Sequence, residues 1–235
     1  MSIHILATGT SRGIGAAIAQ AFASDDVRLI GHSTDGGDDA IASDLSRPDA
    51  ANLLWREAID RLDGRIDILI NNAGIFEAAP IDQPDLAWLD AWERTMRINL
   101  TSAAELSRLA VLHFREKGGG RIVNVASRAA YRGDSPDHWH YAASKAGMVA
   151  MTKSIARGYA RDNILAFAVC PGFTMTGMAE DYLASRGGER LLADIPLGRV
   201  AEPAEIAATI RFLALQAPAS MTGAVLDING ASYVR

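Results

Sequence analysis

At 235 residues with 49% hydrophobic content, the chain is long enough to bury a substantial core and short for two, which predicts a single domain over 1–235. A net charge of −5, with Lys and Arg scattered, excludes the basic stripe that nucleic acid needs, and a lone cysteine, Cys170, excludes an intrachain disulfide or a cysteine metal site. No apolar run approaches the ~18 residues that span a bilayer and the chain starts directly in a strand pattern, so a soluble cytoplasmic protein is expected, with no membrane, nucleic-acid or metal partner.

Ile3 to Ala7 is a short, mostly apolar run leading into Thr8-Gly9-Thr10-Ser11-Arg12-Gly13-Ile14-Gly15 and then a helical pattern from Ala16 to Ala23. Strand, glycine turn, helix is the predicted order. Glycines allow close backbone approach, and the free N–H groups of a helix start can hold a pyrophosphate. Gly9, Ser11, Arg12, Gly13, Ile14 and Gly15 are therefore candidate cofactor residues, although such a turn need hold no ligand.

Val27 to Gly31 reads as a second strand, followed by His32, Ser33 and Thr34. Dinucleotide sites place an acid at this tip to hold the ribose hydroxyls, whereas a 2′-phosphate wants cations and hydroxyls. No carboxylate stands at the tip itself, although Asp35 follows closely. Arg12, Ser33 and Thr34 could cradle a phosphate, so NADP is favoured and NAD is the alternative. From Thr34 to Ala40 there is no room for a helix before a short strand at Ile41 to Ser43. Asp44 and Leu45 follow. Asp44 reads equally as an acceptor for an adenine amino group or as a loop cap ahead of a helix from Pro48 to Leu62.

Ile66 to Ile70 is a continuous apolar strand of the buried parallel type, ending in Asn71-Asn72-Ala73-Gly74. Small residues there let a ligand lie close above the sheet, which makes Asn71, Ala73 and Gly74 candidates. A long helical region from about Leu86 to Glu116 carries Asn99 in an apolar stretch, either as a hydrogen-bond anchor or as part of a proton path. Arg121 to Ala126 has the β-branched residues of a buried strand and delivers Ser127 at its carboxyl end. The loop that follows, with Arg128, Tyr131, Arg132, Asp134, His138, Trp139 and His140, can line a pocket.

Tyr141-Ala-Ala-Ser-Lys145 sits in a strongly helical segment, so a phenol and an amine four residues apart point the same way. An ammonium nearby favours the phenolate and moves the tyrosine pKa towards neutrality, which makes an acid/base device. Ile164 to Val169 is the sixth strand, ending at Cys170, Pro171, Gly172, Thr174 and Thr176. Residues from about 174 to 196 read as a mobile substrate lid. A helix from Pro203 to Leu215 and a strand from Ala224 to Ile228 complete the pattern.

Taken together, T-G-x-x-x-G-I-G at Thr8 to Gly15, N-N-A-G at Asn71 to Gly74, Asn99, Ser127, Y-x-x-x-K at Tyr141 to Lys145, P-G at Pro171-Gly172 and the pattern around Gly223 to Gly230 resemble the single-domain short-chain dehydrogenases/reductases. The group most similar is that of the 3-oxoacyl-acyl-carrier-protein reductases. The resemblance implies an α/β Rossmann-type doubly wound sheet of about seven parallel strands with helices on both faces. It implies a nicotinamide cofactor across the strand ends, contacted among others by Pro171, Gly172, Thr174 and Thr176, and a homo-dimer or homo-tetramer. It also implies Tyr141 as acid/base, Lys145 on the nicotinamide ribose, Ser127 on the substrate oxygen and Asn99 behind a water relay to Lys145. The expected activity is hydride transfer between NADP(H) and a small carbonyl or alcohol substrate. The alternative is a non-catalytic dinucleotide-binding regulator or scaffold.

Overall fold

The computed structural model describes residues 2–23, 26–175 and 188–235. Among them a parallel sheet of seven strands runs in the order β3-β2-β1-β4-β5-β6-β7. The strands are β1 (Ile3–Ala7), β2 (Val27–Ser33), β3 (Ala40–Ala42), β4 (Ile68–Asn71), β5 (Gly120–Val125), β6 (Ile164–Pro171) and β7 (Val225–Ile228). This is the expected Rossmann-type α/β architecture.

Side chains alternate across each strand, and the two periods face two helical layers. Leu6, Leu69, Ile122 and Ala166 pack with Leu54, Leu106 and Ile155 of α2 (Ala50–Arg61), α4 (Ser102–Lys117) and α6 (Trp139–Tyr159). Ile5, Ile70, Val123 and Phe167 pack with Ile18 of α1 (Gly13–Ala21) and Ile206 and Ile210 of α8 (Pro203–Leu215). Both faces of the central strands are thereby covered, which explains their continuous apolar runs. Shorter helices are α5 (Ala129–Arg132) and α7 (Gly188–Ala193).

Two departures from a regular wind bear on the site. Between β2 and β3 a helix is replaced by a tight turn, in which Ala40 and Gly37 exchange backbone hydrogen bonds of 3.2 and 3.1 Å. The Gly- and Asp-rich composition of that stretch anticipates this. Between α3 (Asp85–Met96) and α4, the helix widens into a π turn at Arg97–Thr101, with Asn99 at its centre. The strand order reverses between β1 and β4, and parallel α/β sheets bind ligands in the crevice that opens at such a switch. Of the proposed lid, residues 176–187 lie outside the described residues, as does the candidate Thr176.

Candidate active site

The crevice between β1 and β4 is closed at its base by side chains that bind backbone. Thr8 Oγ1 accepts the N–H groups of Asn72 and Ala73, each at 3.0 Å, while Asn72 Nδ2 donates to the carbonyls of Thr8 and Gly9 at 3.0 and 2.9 Å. The glycine turn is thus stitched to the end of β4. Gly9 has φ +70°, and a Cβ there would fall 2.8 Å from Ala73 Cα; a Cβ on Gly15 would fall 1.8 Å from Gly9 O. Both glycines are demanded by packing of turn against helix and strand. His32 lies beneath, its Nδ1 accepting Gly9 N–H at 3.2 Å while Nε2 faces Ser43 O at 2.8 Å. These partners assign the neutral Nε2–H tautomer, and burial pushes its pKa below the usual histidine value.

Above this base the start of α1 is bare. Its first intrahelical bond runs from Ala16 N–H to Arg12 O, and among the described residues no side chain bonds the N–H groups of Gly13, Ile14 and Gly15. Unpartnered donors at a helix start fit a pyrophosphate.

At the β2 tip, Arg12 and Thr34 are exposed. The Ser33 hydroxyl, by contrast, is buried and closes the turn, donating to Gly36 O at 3.1 Å and accepting Gly36 N–H at 2.9 Å. Its single proton is engaged within the turn, whereas Arg12 and Thr34 present their side chains to solvent. Asp44 Oδ1 accepts Ser46 N–H at 3.0 Å, and these contacts with Ser46 hold its carboxyl below the usual range. Of its two readings, loop cap is the one these bonds occupy, although α2 itself begins after Asp49. Leu45 is buried in the core.

The opposite side of the crevice is built from amides. Asn71 Nδ2 donates to Asn124 Oδ1 at 2.8 Å and Ser107 Oγ at 3.1 Å, and Asn124 Nδ2 donates to Thr152 Oγ1 at 2.8 Å. This ladder ties β4 and β5 to α6, and it directs the Asn71 side chain into the helical layer. Asn99, fully buried in the π turn, accepts Ile75 N–H at 2.8 Å and donates to Ile75 O at 3.0 Å and Ser144 Oγ at 3.3 Å. Ser144 in turn donates to Tyr141 O at 2.7 Å. Asn99 therefore anchors the chain after Gly74 and, through Ser144, the first turn of α6. A Cβ on Gly74 would lie 3.3 Å from Asn99 Oδ1 and 3.4 Å from Lys145 Nζ, so both groups border one small space.

Ser127, just beyond β5, is buried and accepts Ala129 N–H at 3.1 Å, and its hydroxyl stands near enough to the Tyr141 phenol to favour the ionised form. Lys145 is 4% exposed; its Nζ donates to Val125 O at 2.9 Å and lies 5.8 Å from the Tyr141 ring centre. Tyr141, Lys145, Ser127 and Asn99 thus converge on one edge of the crevice. The expected pull of the ammonium on the phenol is overturned, however. The Tyr141 pKa is pushed up to about 12, chiefly by burial, with the nearby Ser127 hydroxyl opposing, and burial brings Lys145 down to about 8. Withdrawal from water penalises the charged form of each. A buried ammonium with a spare donor position beside Gly74 fits the hydroxyls of a ribose.

The remaining wall is aromatic. Phe76 stacks on His138 at 3.9 Å and meets Tyr141 edge-on at 4.8 Å, while Trp139 turns outward against Trp88. At the end of β6, Pro171 O accepts Arg128 N–H at 2.9 Å, Gly172 packs on Asn229, and Thr174 Oγ1 donates to Gly172 O at 3.3 Å. Sequence reasoning gave no role to Thr8, His32, Asn72, Asn124 or Ser144. The doubled amide Asn71-Asn72 was the one visible signal, and it belongs to positioning.

A glycine turn at the sheet's switch point and a Ser, Tyr and Lys cluster beside it define an oxidoreductase class of site. The chain belongs to the short-chain dehydrogenase/reductase family: residues 9–231 match the family described as enoyl-(acyl carrier protein) reductase, and relatives at a third identity span nearly its whole length. Among these are 3-oxoacyl-(acyl-carrier-protein) reductase FabG of Vibrio cholerae serotype O1, 35% identical over 97% of this chain and 96% of the relative, and acetoacetyl-CoA reductase of Shinella zoogloeoides, 33% identical over 99% of each. A third is cis-4-hydroxycyclohexanecarboxylate dehydrogenase of Sinomonas cyclohexanicum, 34% identical over 95% of this chain and 93% of the relative.

Proposed function

We propose that the chain interconverts a carbonyl compound and its alcohol with NADP(H), with Tyr141, Ser127, Lys145 and Asn99 as the machinery. The observation that carries this reading is the Tyr141 phenol beside the Ser127 hydroxyl and one helical turn from the buried Lys145 amine, which lies 5.8 Å from the phenol's ring centre. The uncapped N–H groups of Gly13, Ile14 and Gly15 would hold the pyrophosphate, Lys145 the nicotinamide ribose, and Arg12 with Thr34 a 2′-phosphate. When bound, the nicotinamide exchanges a hydride with the reacting carbon.

Reduction moves the carbonyl π pair onto oxygen, where negative charge develops. Ser127 holds that oxygen and Tyr141 supplies its proton, so alcohol is released and phenolate remains. With a pKa near 12 the phenol is fully proton-loaded at neutral pH, which suits it to reduction. Lys145 stabilises the phenolate while charged, and the space shared by Asn99, Gly74 and Lys145 is where a water would return the proton. The relatives' names cover thioester and free-acid chemistries, so likeness supports the carbonyl and alcohol class rather than one substrate.

We place the protein in the cytoplasm as a homo-dimer or homo-tetramer. Among the described residues no helix is long and apolar enough to cross a membrane. On α6, Ala143 and Ala150 are exposed and could meet a second copy, whereas Gly147 packs within the chain, its Cβ position 2.7 Å from Leu100.

Tyr141→Phe tests the mechanism. Turnover of a ketone panel should fall roughly a thousandfold with NADPH affinity retained. Full activity in that variant would sink the assignment, and no turnover of any ketone or alcohol by the unaltered protein would favour a binding regulator.

A further inference from the structure

Arg128 follows Ser127 directly, and its guanidinium, 3.6 Å from Asp194, lies on the side of the chain beyond the carboxyl end of β6, where the crevice opens. It is only 8% exposed. Its N–H is fixed to Pro171 O and its guanidinium lies 4.8 Å over the Phe173 ring, which sets the plane of the fork at the carboxyl ends of β5 and β6.

Its charge is poorly answered. Among the described residues Arg128 Nη1 is buried without a hydrogen bond. Asp194 Oδ2 stands 3.6 Å away, yet this half-exposed carboxylate gives its hydrogen bond to Arg132 at 2.8 Å. Two guanidinium groups thus share one carboxylate, and the more buried of them has the weaker contact. Burial and the neighbouring Arg132 both push the Arg128 pKa down, the direction of a cation short of partners. Keeping a cation buried in this state is costly unless a ligand completes it.

We propose that Arg128 binds a carboxylate carried by the substrate itself, so that the carbonyl compound reduced is a small oxo acid and the alcohol a hydroxy acid. This rests on the carbonyl and alcohol reading above and narrows it. A planar fork beside a catalytic hydroxyl matches a carboxylate by two parallel N–H···O bonds. The phosphates of a carrier thioester lie at the far end of a pantetheine arm, many bonds from the reacting carbonyl, whereas Arg128 is one residue from Ser127.

The test measures kcat/KM with NADPH for acetoacetate and its ethyl ester, for 4-oxocyclohexanecarboxylate and its methyl ester, and for acetoacetyl-CoA. In the unaltered protein each acid should exceed its ester by about tenfold or more, and exceed acetoacetyl-CoA. In Arg128→Gln, kcat/KM should fall about 30-fold or more for the acids, mainly through KM, and less than about 3-fold for the esters, with Arg128→Lys partly restoring the acids. Equal rates for acids and esters in the unaltered protein would overturn the proposal, whatever the variants do, and leave the carbonyl reading standing. So would preference for acetoacetyl-CoA, or an equal loss on acids and esters in a folded Arg128→Gln. Reduction of none of the five compounds would instead overturn the carbonyl reading beneath it.

Discussion

Around Tyr141 and Lys145, position is fixed by buried side chains bonded to one another and to backbone: Asn71 to Asn124 to Thr152, and Asn99 to Ile75 and Ser144. At the corner of β2 and β3, the bonds are local and partly exposed: Ser33 closes its own turn, Asp44 caps its own loop, and Arg12 and Thr34 face water. The difference teaches where tolerance lies. Buried polar ladders fail as units when one member is removed, because the remaining groups lose their partners away from water. An exposed corner can change residue by residue without disturbing the fold.

Lys145→Met separates chemistry from stability most sharply. Loss of the ammonium should lower turnover roughly a thousandfold, since the phenolate loses the cation one helical turn away. The same change removes a buried charge with no carboxylate partner among the described residues, and at pH 7 it should leave stability equal or raise it by about 1 kcal/mol, read from denaturant unfolding. The sign with pH follows from the depressed pKa. Between about 8 and the ordinary lysine value only the unfolded chain holds the proton, so the unaltered protein gains stability as pH rises through that window. Any advantage of the variant should shrink between pH 7 and pH 10. A large loss of stability at pH 7 would show Lys145 to be a structural donor to Val125.

Asn99→Leu probes the ladder from the other direction. It strands Ile75 N–H and Ile75 O, and should cost about 2–3 kcal/mol, with weaker turnover because Ser144 and the first turn of α6 lose their tie. An unchanged unfolding midpoint would mean the π turn is held by packing alone.

Much of this was legible from residue types. Continuous apolar runs gave the buried strands, the Gly- and Asp-rich stretch before Ala40 gave the missing helix, and the spacing from Tyr141 to Lys145 gave a shared helical face. The π turn at Asn99 was not legible, because Met96 to Leu100 continues a helical pattern and the amide's contacts are with Ile75, 24 residues away in the chain. The sign of the Tyr141 shift was misread for a related reason. Spacing reports that two groups approach, while the balance between attraction and desolvation depends on how much water the fold removes from both.

A smaller effect is expected in the pH profile. With Lys145 near 8, kcat/KM for carbonyl reduction should decline above about pH 8, approaching tenfold per unit, while Tyr141 stays protonated throughout. A profile flat to pH 10 would mean that Lys145 holds its proton more tightly than its burial implies.

The smallest effect should arise at the exposed corner. Arg12→Gln should weaken NADPH binding by about three- to tenfold and leave NADH within about twofold, since one solvent-facing guanidinium contributes modestly to a phosphate contact. Raising salt should shrink the difference between the protein and the variant, as it would for exposed charges. Tighter binding of NADH than NADPH by the unaltered protein would reverse the preference. It would also shift attention to Asp35, the exposed acid next along the chain, as the residue that meets the ribose hydroxyls.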